Sequence, residues 1–288
     1  TVTWNTAGAQ TVSVRYTNAA SCVAATPTVR NVTVNALPVP TFTTGPTSPC
    51  IGSTGNIYTT EAGMTNYVWV VSAGGTLTAG GTATSNTATV TWNTTGAQTV
   101  SVRYTNANSC AAAAPVVRNV TVVALPVPTF STGAIAPCIG STGNIYTTEA
   151  GMTNYVWTVS AGGTITAGGA STNNTATITW TTAGAQTVSV RYTNASGCIA
   201  AAATVRNVTV NTLPIATFTT GATTACAAST GNIYTTEAGM SNYTWTVSAG
   251  GTITAGGNAT SNTATITWNT AGAQTVSVRY TNANGCIA

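Results

Sequence analysis

Residues 87–106 read TATVTWNTTGAQTVSVRYTN, and their alternation decides the fold. Ala88, Val90 and Trp92 share one parity; Thr87, Thr89 and Thr91 share the other. Successive strand side chains point to opposite faces, so this is a strand with one apolar and one hydroxyl face. A longer strand follows over residues 97–106. There Val100, Val102 and Tyr104 face inward, and Ser101, Arg103 and Thr105 face outward.

Working outward, residues 41–44, 55–60, 66–72 and 116–123 carry the same β-branched and aromatic signal. Residues 74–81 form a Gly-rich stretch holding a short Thr-Leu-Thr piece. The strand over 66–72 recurs twice further on. It reads Tyr67-Val-Trp69-Val-Val71, then Tyr155-Val-Trp157-Thr-Val159, then Tyr243-Thr-Trp245-Thr-Val247. Tyr, Trp and the last Val persist while the positions between them drift from Val to Thr. The persistent set is the buried face and the drifting set the wet one. Seven or so short strands separated by brief turns predict an all-β fold, an antiparallel β-sandwich of immunoglobulin-like type.

The chain is built from copies of this unit. Trp4, Trp92, Trp180 and Trp268 stand 88 residues apart, as do Trp69, Trp157 and Trp245. A step of that size suits a small domain rather than a solenoid repeat. Three such steps leave a remainder of 24 residues, and residues 1–24 read almost as residues 265–288 do. The phase comes from Ala36-Leu37-Pro38-Val39-Pro40, Ala124-Leu125-Pro126-Val127-Pro128 and Thr212-Leu213-Pro214-Ile215-Ala216. Proline has no N–H for a ladder and keeps the chain extended, so the linkers fall there. The expected units are 1–36, the tail of a preceding repeat; then 37–124 and 125–212; then 213–288, a sandwich without its last strand. The opening in mid-pattern at TVTWNT reads as a window on a longer chain.

Composition removes most chemistry. Lys and Arg total 7, all of them Arg, and Asp and Glu total 3, all of them Glu; His, Lys and Asp are absent. Ser-His-Asp or Cys-His-Asn machinery is therefore impossible, and so is a lysine Schiff base. Glu61, Glu149 and Glu237 lie 88 residues apart, which leaves no carboxylate pair within one unit and no cation cage. The expectation is a non-enzyme with no cofactor and no metal. Seven scattered arginines make no basic patch for nucleic acid. No apolar run approaches the ~18–20 residues of a membrane span.

The order Cys50-Ile-Gly-Ser-Thr54, Y-x-W-x-V, T-x-T-W, Q-T-V-S-V-R-Y-T-N-A-N-[SG]-C and a final V-x-V strand resembles a PKD-like domain. The resemblance spans the whole chain as three copies and a fragment. It implies tandem immunoglobulin-like sandwiches of the kind repeated in giant cell-surface proteins of Bacteroidetes, gliding-motility adhesins among them. Better-known PKD domains carry W-D-F-G-D-G where this chain has Trp69-Val-Val-Ser-Ala-Gly-Gly75, so acid-dependent roles of that motif do not transfer.

The candidate site residues follow from the same repeat. Cys22, Cys50, Cys110, Cys138, Cys198, Cys226 and Cys286 occur two per unit with one over, a pattern that reads as disulfides in a secreted chain. Two pairings remain open. Within units, Cys50–Cys110, Cys138–Cys198 and Cys226–Cys286 would form. Between neighbouring units, Cys50–Cys198 and Cys138–Cys286 would form. The strand order weighs against the first: Cys50 precedes the second strand and Cys110 follows the sixth, and in an immunoglobulin topology those strands run the same way, which puts the two cysteines at opposite ends. A bridge needs Cα atoms within about 7 Å. Glu61 with Arg118, and Glu149 with Arg206, are candidate ion pairs at the sandwich end. Trp69, Trp157, Trp245, Trp92, Trp180 and Trp268 are expected core aromatics. The Thr-x-Thr faces at 87–91 and 263–267 are wet strand faces.

Together these point to an extracellular structural array, a segment of an adhesin stalk or surface filament. Its partners would be neighbouring repeats of the chain, and other copies if filaments form. An external ligand is not specified by the sequence. The alternative is a carbohydrate- or ice-binding surface using repeated Thr or aromatic faces.

Overall fold

The computed structural model describes residues 1–288. It contains strands and no helix. At the N-terminal end β1 (Gly8–Val14) pairs with β2 (Thr28–Val34) as an antiparallel two-stranded sheet. The first full repeat holds β3 (Asn56–Thr59), β4 (Thr65–Val71), β5 (Gly75–Gly80), β6 (Thr87–Trp92), β7 (Gly96–Thr105) and β8 (Val116–Val122). The second holds β9 (Asn144–Thr147), β10 (Thr153–Val159), β11 (Gly163–Gly168), β12 (Thr175–Trp180), β13 (Gly184–Thr193) and β14 (Thr204–Val210). The third holds β15 (Ser229–Thr235), β16 (Ser241–Val247), β17 (Gly251–Gly256), β18 (Thr263–Trp268) and β19 (Val276–Thr281).

Each repeat is two antiparallel sheets face to face. In the first, the orders are β3-β6-β5 and β4-β7-β8; in the second, β9-β12-β11 and β10-β13-β14. The third has β15-β18-β17 and a sheet of two strands, β16-β19. The chain divides into two compact units. One is Thr1–Leu125 with Ser196–Cys198; the other is Pro126–Ala195 with Ile199–Ala288.

In the first unit Ala88, Val90 and Trp92 are fully buried and face Val100 and Val102, also fully buried. The outward Val68 and Val70 of β4 are exposed. Trp92 donates its indole N–H to the Tyr58 hydroxyl at 3.1 Å, so the largest core side chain leaves no orphaned polar atom. The two rings meet edge to face, 6.4 Å between centroids. The second unit repeats the motif with Trp180 and Tyr146 at 3.1 Å, and with Trp268 and Tyr234 at 3.2 Å.

The last strand of a full repeat is bonded on both edges. β8 pairs with β7 from Gly96↔Val122 to Val102↔Val116. On its other side Thr121 N–H donates to Thr47 O at 2.8 Å and Val123 N–H to Pro49 O at 2.9 Å. That second edge ends in a parallel bridge, Cys50↔Val123. β14 does the same, with Thr209 N–H to Ile135 O and Asn211 N–H to Pro137 O, both at 2.8 Å.

Two expectations are corrected. Residues 41–44 form no strand; they touch β3 through the isolated bridge Thr44↔Thr59 and a bond from Thr43 N–H to Thr59 O at 2.8 Å. Pro40 before them cannot donate, which limits any ladder. Conversely, the Gly-rich stretch is a true strand, β5, with a bulge between Leu77 and Ala79. Its glycine has a packing reason. A β-carbon at Gly75 would sit 2.7 Å from both Trp92 Cζ3 and Val71 Cγ1. The backbone of β5 is thus the floor on which the Trp92 ring lies. Gly75→Ala should lower unfolding stability by about 1–3 kcal/mol through overpacking. A urea titration of the variant that leaves the midpoint in place would show that the ring retreats freely.

Candidate functional site

No pair of acids or nucleophile–base couple occurs, and no group of three His, Cys, Asp or Glu is placed to hold a metal. What each repeat does carry is a glutamate clamp at its entrance and a cysteine at each end.

The clamp begins just past the linker. Glu61, half-buried after β3, accepts at Oε2 from Thr41 N–H at 3.3 Å and from the Tyr104 hydroxyl at 2.8 Å. Its Oε1 accepts from the Thr41 hydroxyl. The Thr60 hydroxyl lies 2.6 Å from Oε2 and 2.7 Å from Thr41 O, and its one proton serves either acceptor. Tyr67 donates to the Glu61 carbonyl at 2.6 Å and accepts from Met64 N–H at 3.1 Å. The residue following Pro40 is thereby fastened to β4 and β7. Glu149 does this to Thr129 with Thr148 and Tyr192, and Glu237 to Thr217 with Thr236 and Tyr280.

Burial alone would raise the carboxyl pKa of Glu61. The hydrogen bonds from Thr41, Thr60, its own backbone and Tyr104 overcome that and hold it at about 2, against an ordinary 4.5. Glu149 behaves likewise. At Glu237 the Thr217 and Thr236 hydroxyls lead, and the result is again about 2. The tyrosines feel the converse. Burial, then the carboxylate beside it, pushes Tyr104 well above the usual phenol range, and the same causes bring Tyr280 to about 12.

The expected Glu61–Arg118 and Glu149–Arg206 ion pairs are corrected here. Each carboxylate is taken up by neutral donors, at Glu61 the Thr41 N–H and the Thr41, Thr60 and Tyr104 hydroxyls, and at Glu149 their counterparts. Arg118 shares the inward parity of Val120 and Val122, so its guanidinium carbon lies over the Phe42 ring, 5.8 Å from the centroid. Arg206 lies over Phe130 at 5.7 Å. The Nε of each is buried without a hydrogen-bond partner. A cation over an aromatic face gains about 0.5–2 kcal/mol, which offsets part of that loss.

The cysteines are joined between repeats. Cys50 bonds Cys198 and Cys138 bonds Cys286, each pair with Cα atoms 5.6 Å apart and 148 residues of separation. The first bridge anchors the segment Ser196–Cys198 in the first unit. The second lies wholly in the second unit. The within-repeat pairing Cys50–Cys110 does not form; Cys22, Cys110 and Cys226 are free thiols. Local chemistry presents the C-terminal cysteine of each pair. Asn282 Oδ1 accepts from the N–H of Asn284 and of Cys286, each at 3.0 Å, which holds a tight loop around the thiol. Asn106 does the same for Cys110.

Trp92 and Trp180 are fully buried and Trp157, Trp245 and Trp268 nearly so; Trp69 is half-buried with its N–H on Ser85 O at 2.9 Å. Rings so placed offer no flat face to a sugar. Thr87, Thr89 and Thr91 are half-buried along β6. Sequence reading missed the clamp, because Thr41, Glu61 and Tyr104 are far apart in sequence and carry no charge complementarity.

These are tandem immunoglobulin-like sandwiches tied by disulfides. The PKD-like domain matches residues 36–118, 124–207 and 213–288, and the chain belongs to that family. No curated protein sequence matches it. Among solved structures it is similar to the D00–D0 domain of intimin, with 16% identity over 60% of this chain and 98% of that one, TM-score 0.35. It is similar to the I9–I11 tandem of titin, with 8% identity over 86% and 97%, TM-score 0.35. Invasin, a bacterial integrin-binding protein, gives 16% identity over 96% and 62%, TM-score 0.37.

Two outcomes are expected. A carboxyl whose pKa is depressed on folding contributes stability above its unfolded pKa, and that contribution is lost as pH falls through the folded one. The unfolding free energy should therefore be level from neutrality to about pH 5 and decline toward pH 2. Replacing Glu61, Glu149 and Glu237 together by Gln should flatten that decline in acid titrations followed by circular dichroism. Separately, Cys286→Ser should lower the denaturation midpoint of the second unit. The chain-entropy ceiling for a loop of this length is about 4–5 kcal/mol. Cys22→Ser should leave the midpoint unchanged.

Proposed function

We propose that this chain is a non-enzymatic structural segment of a long extracellular stalk or surface filament, where its repeats serve as spacers. The observation that carries the reading is the pair of disulfides between repeats. Each is set in the same register of the copied unit, which suits a chain meant to stay continuous under load. Disulfides persist in oxidising surroundings, which supports a location outside the cytosol. Modules of this fold typically serve structural ends, and the residues present supply no catalytic set. No helix is long and apolar enough to cross a membrane, so anchoring would come from elsewhere or from another kind of element. The Bacteroidetes adhesins that the sequence resembles are the setting this reading favours. Its partners there are neighbouring repeats of its own chain.

Immunogold electron microscopy of the source cells, with an antibody to the repeat, tests this. Label should decorate extended structures outside the cell at several points along each one. Label confined to the cell interior, or turnover of a substrate by the purified chain, would overturn the reading.

A further inference from the structure

The bonded cysteines follow one another as Cys50, Cys138, Cys198 and Cys286, and the bridges join the first to the third and the second to the fourth. The two cystines therefore interlock. Each makes one covalent junction, Cys50 with Cys198 and Cys138 with Cys286. Three stretches of backbone run side by side between these junctions: residues 50–138, 138–198 and 198–286. The outer two span 88 residue steps each, and the middle one spans 60. The linkers at 124–128 and 212–216 lie in the outer stretches, so neither is the sole connection across its place in the chain.

Every junction is set in hydrogen-bonded backbone. Around Cys138, Asn211 N–H donates to Pro137 O and Ile139 N–H donates to Asn211 O, both at 2.8 Å. Around Cys50, Val123 N–H donates to Pro49 O and Ile51 N–H to Val123 O, both at 2.9 Å. Just past Cys198, Ala200 N–H donates to Tyr192 O at 3.0 Å; just past Cys286, Ala288 N–H donates to Tyr280 O at 2.9 Å. Tension arriving at a bridge passes directly into the sheets.

We propose that the interlocked cystines are an extension stop, with residues 138–198 as the tether that sets its length. Load can open a sandwich at the rate its noncovalent structure unfolds. The separation of Cys50 from Cys286 is still bounded by the shortest covalent route. That route crosses from Cys50 to Cys198, runs backwards along the chain to Cys138 and crosses to Cys286. It holds 60 residue steps, which reach about 200–215 Å at about 3.3–3.6 Å per residue. Without bridges the 236 steps from 50 to 286 would reach about 780–850 Å. Each outer stretch exceeds the tether by 28 steps and is slack when the tether is taut. The final load therefore falls on the second repeat between β9 and β13, pulled against its chain direction, and both linkers are spared.

Optical tweezers holding the 288-residue chain by peptide tags at its two ends test this. Residues outside 50–286 add the same length in every state. Fully stretched, the oxidised chain should show 60 steps between Cys50 and Cys286, and the chain treated with dithiothreitol all 236. Cys50→Ser with Cys198→Ser removes one bridge and should give 88 steps, about 90–100 Å longer than the unaltered chain. Cys138→Ser with Cys286→Ser removes the other and should give the same 88. An unaltered chain that stretches as far oxidised as reduced overturns the proposal. So does either double variant at 176 steps, the length that pairing within repeats would leave. The use of a stop rests on the spacer reading, since only a chain under tension needs one. Label confined to the cell interior would end that reading and leave these lengths standing; equal lengths would end the stop and leave the reading standing.

Discussion

Hydrogen bonding along both edges of the last strand organises the two full sandwiches. β8 closes the sheet by pairing with β7, and it also holds the segment ending at Cys50. The first edge buries Val120 and Val122 against the core. The second fixes the backbone at Cys50, so the thiol points where a disulfide can reach it. Core and covalent link thus share one element.

The clamp around Glu61 shows how a chain without lysine or aspartate fixes its linker. Ion pairing is scarce by composition, and two of the seven arginines, Arg118 and Arg206, pack on phenylalanine. The carboxylate instead gathers hydroxyl and amide donors. Charge-assisted bonds of this kind are roughly twice as strong as neutral ones. They also need no partner of opposite sign, so the clamp copies unchanged from repeat to repeat.

Much of the fold was legible because the copies differ mainly where water tolerates change. The drift from Val to Thr at positions 70, 158 and 246 separated outside from inside before any coordinates, and the inward Tyr67 is buried while Val70 is exposed. The Gly-rich β5 was less legible, since glycine weakens a strand signal and the ring that demands Gly75 comes from Trp92, across the sheet. The clamp was illegible for another reason. Copies this alike repeat everything, so Thr41, Glu61 and Tyr104 do not stand out from their surroundings. For the cysteines, spacing alone allowed two pairings. The choice depended on the backbone neighbours of Cys50, which only the strand order supplies.

The two cystines overlap in sequence, one spanning residues 50–198 and the other 138–286. A protease that nicks any single peptide bond from residue 50 to residue 286 leaves the two sides tied through at least one sulfur link. A nick between 138 and 198 is covered twice. Scission between residues 50 and 286 therefore requires more than one break, and damage at an exposed turn there need not shorten the chain.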